Sequence, residues 1–209
     1  MTRRRSQAFT RWDLIICLAA IGMLALWLPV LARSKVRTSR INCVSNLKQI
    51  GLGFRMWSND HEDQFPWRVS TNEGGTLEYA ESRDVFRHFV VASNELNSPI
   101  ILTCPDDLKR IRTNLFNFLS NENLSYFIEI KMSSNQVYLS GDRFLSTNKS
   151  VRSGMMTIST AKSLRWVPGA HVKSGNIVFS DGSVAQRLQT VNWEQLSQIF
   201  PSASRFHNI

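Results

Sequence analysis

The chain has 209 residues and a formal net charge of +9. That length suits one domain with an appendage and can bury a core without staples. An apolar content of 43% and a charged content of 20% exclude wholesale disorder, and three cysteines with no Cys-x-x-Cys pair exclude a disulfide scaffold and a zinc knuckle.

The charge is unevenly placed. Residues 1–40 hold eight basic side chains (Arg3, Arg4, Arg5, Arg11, Arg33, Lys35, Arg37 and Arg40) and one acid, Asp13. The remaining 169 residues hold 17 basic and 15 acidic side chains, so they are nearly balanced. Basicity that flanks an apolar stretch points to a membrane and not to nucleic acid.

That stretch is Leu14–Leu31, LIICLAAIGMLALWLPVL, 18 residues without a charge. As a helix it is roughly 27 Å long, close to the ~30 Å of a hydrocarbon core. A secretory signal is the rival reading, but Leu31-Ala32-Arg33 is a poor cleavage site, so a retained span is expected. Pro29 is tolerable late in such a helix. Long C-terminal domains translocate largely regardless of flanking charge. The expected topology is a single-pass inner-membrane protein, with residues 1–11 cytoplasmic and the bulk periplasmic or otherwise extracytoplasmic.

Ahead of the apolar run stands Gln7-Ala8-Phe9-Thr10-Arg11-Trp12-Asp13-Leu14. It resembles the type IV prepilin leader: a basic leader, a small residue before the cut, Phe as first mature residue, and an acid fifth from it. Ala8, Phe9 and Asp13 take those places. Ala8 stands for the usual Gly, Asp13 for Glu, and Arg11 and Trp12 for two aliphatics. Asn42-Cys43-Val44-Ser45-Asn46-Leu47-Lys48-Gln49-Ile50-Gly51-Leu52, Cys104-Pro105-Asp106-Asp107, and His171 followed after nine residues by Asp181-Gly182 resemble segments of a bacterial group of pilin-like proteins common in planctomycetes and verrucomicrobia.

The resemblance implies an α+β pilin-like fold, with a long N-terminal helix whose first half spans the membrane and packs on a mainly antiparallel sheet. It implies a basic leader over 1–8, a transmembrane helix over 9–31, an amphipathic continuation over 32–60 and an extracytoplasmic globular domain over 61–209. It further implies cleavage by a prepilin peptidase between Ala8 and Phe9. The subunit then joins other pilin-like subunits of a type II secretion or type IV pilus-like assembly. Asp13 neutralises a neighbour's N-terminal amine. The alternative is an unprocessed single-span envelope protein whose outer domain binds a ligand such as a glycan or peptide.

The residues themselves give the same outline. Ile41, Val44, Leu47, Ile50, Phe54 and Trp57 recur every three or four positions, so the helix continues amphipathically to about Asn59. Gly51 and Gly53 each cost about 1 kcal/mol against Ala, so packing must hold that turn. Residues 68–81 read as a polar loop. Ser82 caps a helix with Val85, Phe86, Phe89 and Val90 on one face. Tyr126–Met132, Gln136–Ser140 and Met155–Ser159 read as strands. Asn176–Ser180 and Ser183–Leu188 flank Asp181-Gly182, a two-residue hairpin signal with both residues at positive φ. Asn192 and Gln195 suggest a capping box on a last helix.

Sites of chemistry are few. His171 and Asp181 read as a loop-orienting side chain and a turn residue, because no second His or nucleophile completes a catalytic pair. Asp60, Glu62 and Asp63 around His61, with Asp106, Asp107 and Asp142, are candidate Ca²⁺ ligands, but the first cluster sits at a helix C-terminus, where anions are disfavoured. No catalytic motif or phosphate loop occurs, and no enzyme activity, cofactor or resident metal is expected. Trp57, Trp67, Trp166 and Trp193 read as core. In an oxidising compartment Cys43 and Cys104 form a disulfide while Cys17 stays free in lipid; two buried free thiols are the alternative.

Overall fold

The computed structural model describes residues 11–130, 138–146, 164–166, 171, 174–188 and 190–191, with the side chains of 28–36, 138, 145–146, 164–165, 187–188 and 190–191 excepted. Ala8, Phe9, Met155–Ser159 and Asn192–Gln195 lie outside the described residues, and so does Trp193. The chain divides into two compact units, Met1–Ser39 and Arg40–Ile209.

Helix α1 runs over Arg11–Asn59, with Asp13 in its first turn. A negative side chain there complements the helix dipole. In the first unit the described apolar side chains are bare on every face: Leu14, Ile15, Ile16, Leu18, Ile21, Leu24, Leu26 and Trp27 are all more than half exposed. Among the described residues no helix is long and apolar enough to cross a membrane. The membrane-spanning helix expected over 9–31 is therefore not shown.

The second unit takes in the amphipathic half of α1. Cys43, Leu47, Ile50, Phe54 and Trp57 are buried at helical spacing and form one wall of the core. Ile41 is exposed, so the buried stripe begins at Cys43 and not one turn earlier. The two glycines of this stripe have a packing reason. A Cβ at Gly51 would stand 2.6 Å from Val178 Cγ2, and one at Gly53 would stand 2.7 Å from Leu96 Cδ2. Close approach of the helix to its neighbours offsets their poor helix propensity.

Beyond α1 the chain is mostly short turns. Three-residue 3₁₀ segments at Pro66–Arg68, Thr71–Glu73 and Leu77–Tyr79 lead to α2, Phe86–Val91, and α3, Ser93–Leu96. Ser82 does not cap α2: its Oγ accepts from Asp84 N at 3.1 Å and shapes the preceding turn. Phe89 is fully buried on α2, with Val85, Phe86 and Val90 packed against the core. Trp67 stacks on Phe65 at 5.2 Å and meets Phe54 edge-on at 5.3 Å.

Two antiparallel sheets follow. The first has the order β1 (Tyr126–Ile128), β2 (Tyr138–Asp142), β5 (Gly175–Phe179), β6 (Val184–Leu188). The second joins β3 (Leu145–Ser146), β4 (Leu164–Trp166) and β7 (Thr190–Val191). Ile177, Val178 and Leu139 are fully buried. The architecture is α+β with a four-stranded antiparallel sheet.

The β5–β6 hairpin departs from the two-residue expectation. Val178 pairs with Val184, Gly182 N donates to Phe179 O at 3.0 Å and Phe179 N donates to Ser183 O at 2.9 Å. Ser180, Asp181 and Gly182 thus form a three-residue loop. Gly182 alone takes positive φ, +82°. This is a turn closed by a left-handed glycine, which needs one such residue and not two.

Among the described residues His88 is the one fully buried imidazole, and it lies near the aromatic cluster. Its Nδ1 is 2.7 Å from Thr76 Oγ1 and its Nε2 has no hydrogen-bond partner. Burial pushes its pKa down from 6.5 to about 4. The unfolded chain therefore takes a proton as pH falls through 6.5, and the folded chain does not until about 4. Stability is full above 6.5 and declines across that window. Relative to His88→Gln, wild-type unfolding free energy is expected to fall by about 2 kcal/mol between pH 7 and pH 5 in urea titrations. A difference that is constant with pH contradicts a neutral, buried imidazole.

Candidate functional site

The site forms where the buried stripe of α1, the loop after Leu102 and the strand pair β2–β5 converge. Cys43 on α1 and Cys104 in the loop are joined by a disulfide, with Cα atoms 5.3 Å apart. The two half-cystines are buried, and Cys17 is free and exposed. One helical turn beyond Cys43, Asn46 Nδ2 donates to Thr103 O and Tyr126 Oη, both at 3.3 Å. The covalent and polar ties thus hold the same loop to the same helix.

His171 lies against this crosslink. Its Nε2 is 3.5 Å from Cys104 Sγ and 3.9 Å from Asp142 Oδ2, and its Nδ1 is 3.4 Å from Asp106 Oδ2. Its carbonyl accepts from both N and Oγ of Ser174 at 2.9 Å, which fixes the turn into β5. Burial lowers the His171 pKa, against the raising effect of Asp106; Arg40 adds to the lowering. The ring is held neutral, so each nitrogen has a distinct role set by its neighbours.

Two carboxylates frame the imidazole in opposite electrostatic states. Asp142, at the end of β2, is almost wholly buried and its Oδ2 accepts from N and Nδ2 of Asn176 at 2.8 and 2.9 Å. Burial pushes its pKa up to about 7, in spite of those two donors. Asp107 is equally buried, and burial pushes it up too, but Arg143 outweighs that and the net shift is downward. Arg143 Nε and Nη2 grip its two oxygens at 2.7 and 2.9 Å, and Ser125 Oγ adds a third bond at 3.0 Å. Asp107 is a charged, fully partnered structural group.

His171 and Asp181 lie apart in the structure. Asp181 is exposed in the hairpin loop, where its Oδ1 accepts from N and Oγ of Ser183 at 2.8 and 2.7 Å. His171 is partnered instead by Asp106, Asp142 and the disulfide. Asp106, Asp107 and Asp142, considered above as oxygen ligands for calcium, are divided between His171, Arg143 and Asn176. At the end of α1, His61 stacks on Trp57 at 3.6 Å between ring centres with Nδ1 2.8 Å from Trp57 O, and Asp63 pairs with Arg55 at 3.6 Å. These contacts finish a helix, and among the described residues no three acids gather there. Arg143, Asn176 and Ser125 were missed by sequence reasoning. The only local signal was Arg143 next to an acid at the end of a strand.

No protein-family model, curated protein or solved structure matches this chain.

Removing one partner of a buried ion pair leaves an uncompensated charge. Asp107→Ala is expected to lower unfolding free energy by about 3 kcal/mol. Asp181→Ala, which removes only exposed turn bonds, is expected to cost no more than about 1 kcal/mol. Denaturant titration of the two variants checks the ranking; a larger loss at Asp181 than at Asp107 contradicts it.

Proposed function

We propose that the chain is a non-enzymatic, pilin-like or pseudopilin-like structural subunit, anchored in a membrane by the N-terminal half of α1. It is able to join a type II secretion or type IV pilus-like filament. The observation that carries this reading is the uncovered apolar surface of α1 from Leu14 to Trp27. Eight large apolar side chains left in water forgo stabilisation on the order of 10 kcal/mol. Lipid, or the same segment of neighbouring subunits, recovers it. The uncharged sequence continues to Leu31, which brings it to membrane thickness.

The other features fit the same reading. Asp13 sits in the first turn of α1, and in this reading its carboxylate meets the amine of a neighbouring subunit. A disulfide between Cys43 and Cys104 suits an extracytoplasmic, oxidising compartment for the domain that contains it. Processing at Ala8–Phe9 by a prepilin peptidase and N-terminal methylation complete the proposal. In this reading Ala8 marks the cleavage site, Phe9 and Asp13 serve assembly, and none of the three performs bond chemistry.

Alkaline carbonate treatment of cell envelopes strips peripheral proteins and leaves integral ones in the pellet. The full chain is expected to stay with the membrane, and Leu18→Glu combined with Leu24→Glu is expected to release it. Release of the unaltered full-length chain contradicts the anchor.

A further inference from the structure

Among the described residues one group of metal-ligating side chains converges: Cys43, Cys104 and His171, whose donor atoms all lie within 4.8 Å of one another. All three side chains are buried. With the sulfurs bonded to each other the group offers no thiolate. Reduction supplies two, beside an imidazole already aimed at them.

The second shell is also in place. A metal-bound imidazole characteristically sets its far nitrogen against a carboxylate, which fixes the ring and its tautomer. Here Nδ1 of His171 is buried without a hydrogen bond, and Asp106 Oδ2 stands 3.4 Å from it. That leaves Nε2 facing Cys104 Sγ at 3.5 Å and Asp142 Oδ2 at 3.9 Å. A tetrahedral zinc ion, with Zn–S about 2.3 Å and Zn–N about 2.0 Å, sets its sulfur and nitrogen ligands about 3.5 Å apart. The Cys104–His171 separation already has that value. Two thiolates, an imidazole and one carboxylate are a zinc-type donor set; calcium and magnesium require oxygen ligands.

We propose that the Cys43–Cys104 disulfide is the oxidised state of a redox-controlled zinc site, in which the reduced pair, His171 Nε2 and the Asp142 carboxylate bind one Zn²⁺ while Asp106 orients the imidazole. The step balances with a dithiol as reductant. It gives two electrons and two protons to the S–S bond, becomes a disulfide itself and leaves two protein thiols. Zinc then binds as both thiol protons leave to solvent. In the reverse step a small-molecule disulfide takes the two electrons by thiol–disulfide exchange and leaves as its dithiol, the Cys43–Cys104 bond re-forms, and the ion is expelled. The two states hold the loop after Leu102 to α1 by different bonds, one covalent and one coordinate. The inference rests on the buried cluster and not on the filament reading, whose oxidising compartment favours the disulfide form.

The test uses the full chain in detergent, carrying Cys17→Ser so that Cys43 and Cys104 are its only thiols. A phosphine opens the bond, taking oxygen from water to become its oxide. Co²⁺ is the spectroscopic probe and Zn²⁺ the competitor. The reduced chain is expected to take one Co²⁺, with thiolate-to-metal charge-transfer absorption and tetrahedral d–d bands that Zn²⁺ abolishes; the oxidised chain is expected to take none. Asp106→Asn, which keeps all four ligands, is expected to weaken binding about 10–100-fold, and His171→Ala at least as much. No uptake by the reduced chain, whether folded or not, overturns the proposal. So does equal uptake by the oxidised chain, a spectrum without thiolate charge transfer, or unchanged affinity in both variants.

Discussion

The second unit depends on one tie, the bond that fixes the buried stripe of α1 to the loop at Cys104. The two cysteines are separated by 61 positions, so their crosslink removes a large loop from the unfolded chain and contributes roughly 2–4 kcal/mol. Its position matters as much as its strength. The loop carries no regular structure long enough to hold itself, and the covalent tie and the Asn46 bonds place it on the helix. From there Asp106 and Asp107 reach His171 and Arg143, and the strand pair β2–β5 closes over them.

Electrostatics divides this core into two kinds of polar group. Asp107 is buried because Arg143 and Ser125 satisfy it, and removing either charge leaves the other stranded. Asp142 is buried with only neutral donors from Asn176, and its carboxyl is correspondingly driven upward. His171 stands between the disulfide and these carboxylates, with one nitrogen unsatisfied by hydrogen bonds. A core that needed only rigidity has apolar side chains available for the purpose. A polar cluster around a crosslink costs desolvation, and here it sets an imidazole and a carboxylate beside the Cys43–Cys104 bond.

Periodic features were legible in the sequence and convergent ones were not. The amphipathic half of α1 follows from apolar spacing, and the β5–β6 hairpin from Asp181-Gly182 between two strand-forming segments. Ile41 fits the same period yet lies outside, because a helix face is buried only where a partner covers it. The 3₁₀ segments between Pro66 and Asn123 have no period to read; they are held by caps and local bonds such as Ser120 with Asn123. His171 and Asp181, read from the sequence as a loop residue and a turn residue, do not meet. His171 meets residues 106 and 142, whose proximity is set by strand pairing and the disulfide loop; the Cys43–Cys104 bridge is an expectation of the sequence, but its bringing residue 106 to His171 has no local signature. The turn at Asp181 had the right place but the wrong length, since one left-handed glycine suffices.

One helix thus carries two segments of opposite character. Its later half is the spine of a disulfide-tied α+β domain, and its earlier half presents apolar side chains to whatever surrounds it. Assembly as a pilin-like subunit requires that the basic leader be removed, so that Phe9 begins the chain and Asp13 lies within reach of a neighbour's amine. Intact-mass and N-terminal peptide spectrometry on protein isolated from its native envelope tests this most directly. The account predicts a chain that starts at a methylated Phe9, without residues 1–8. A chain that starts at Met1 or Thr2 contradicts it.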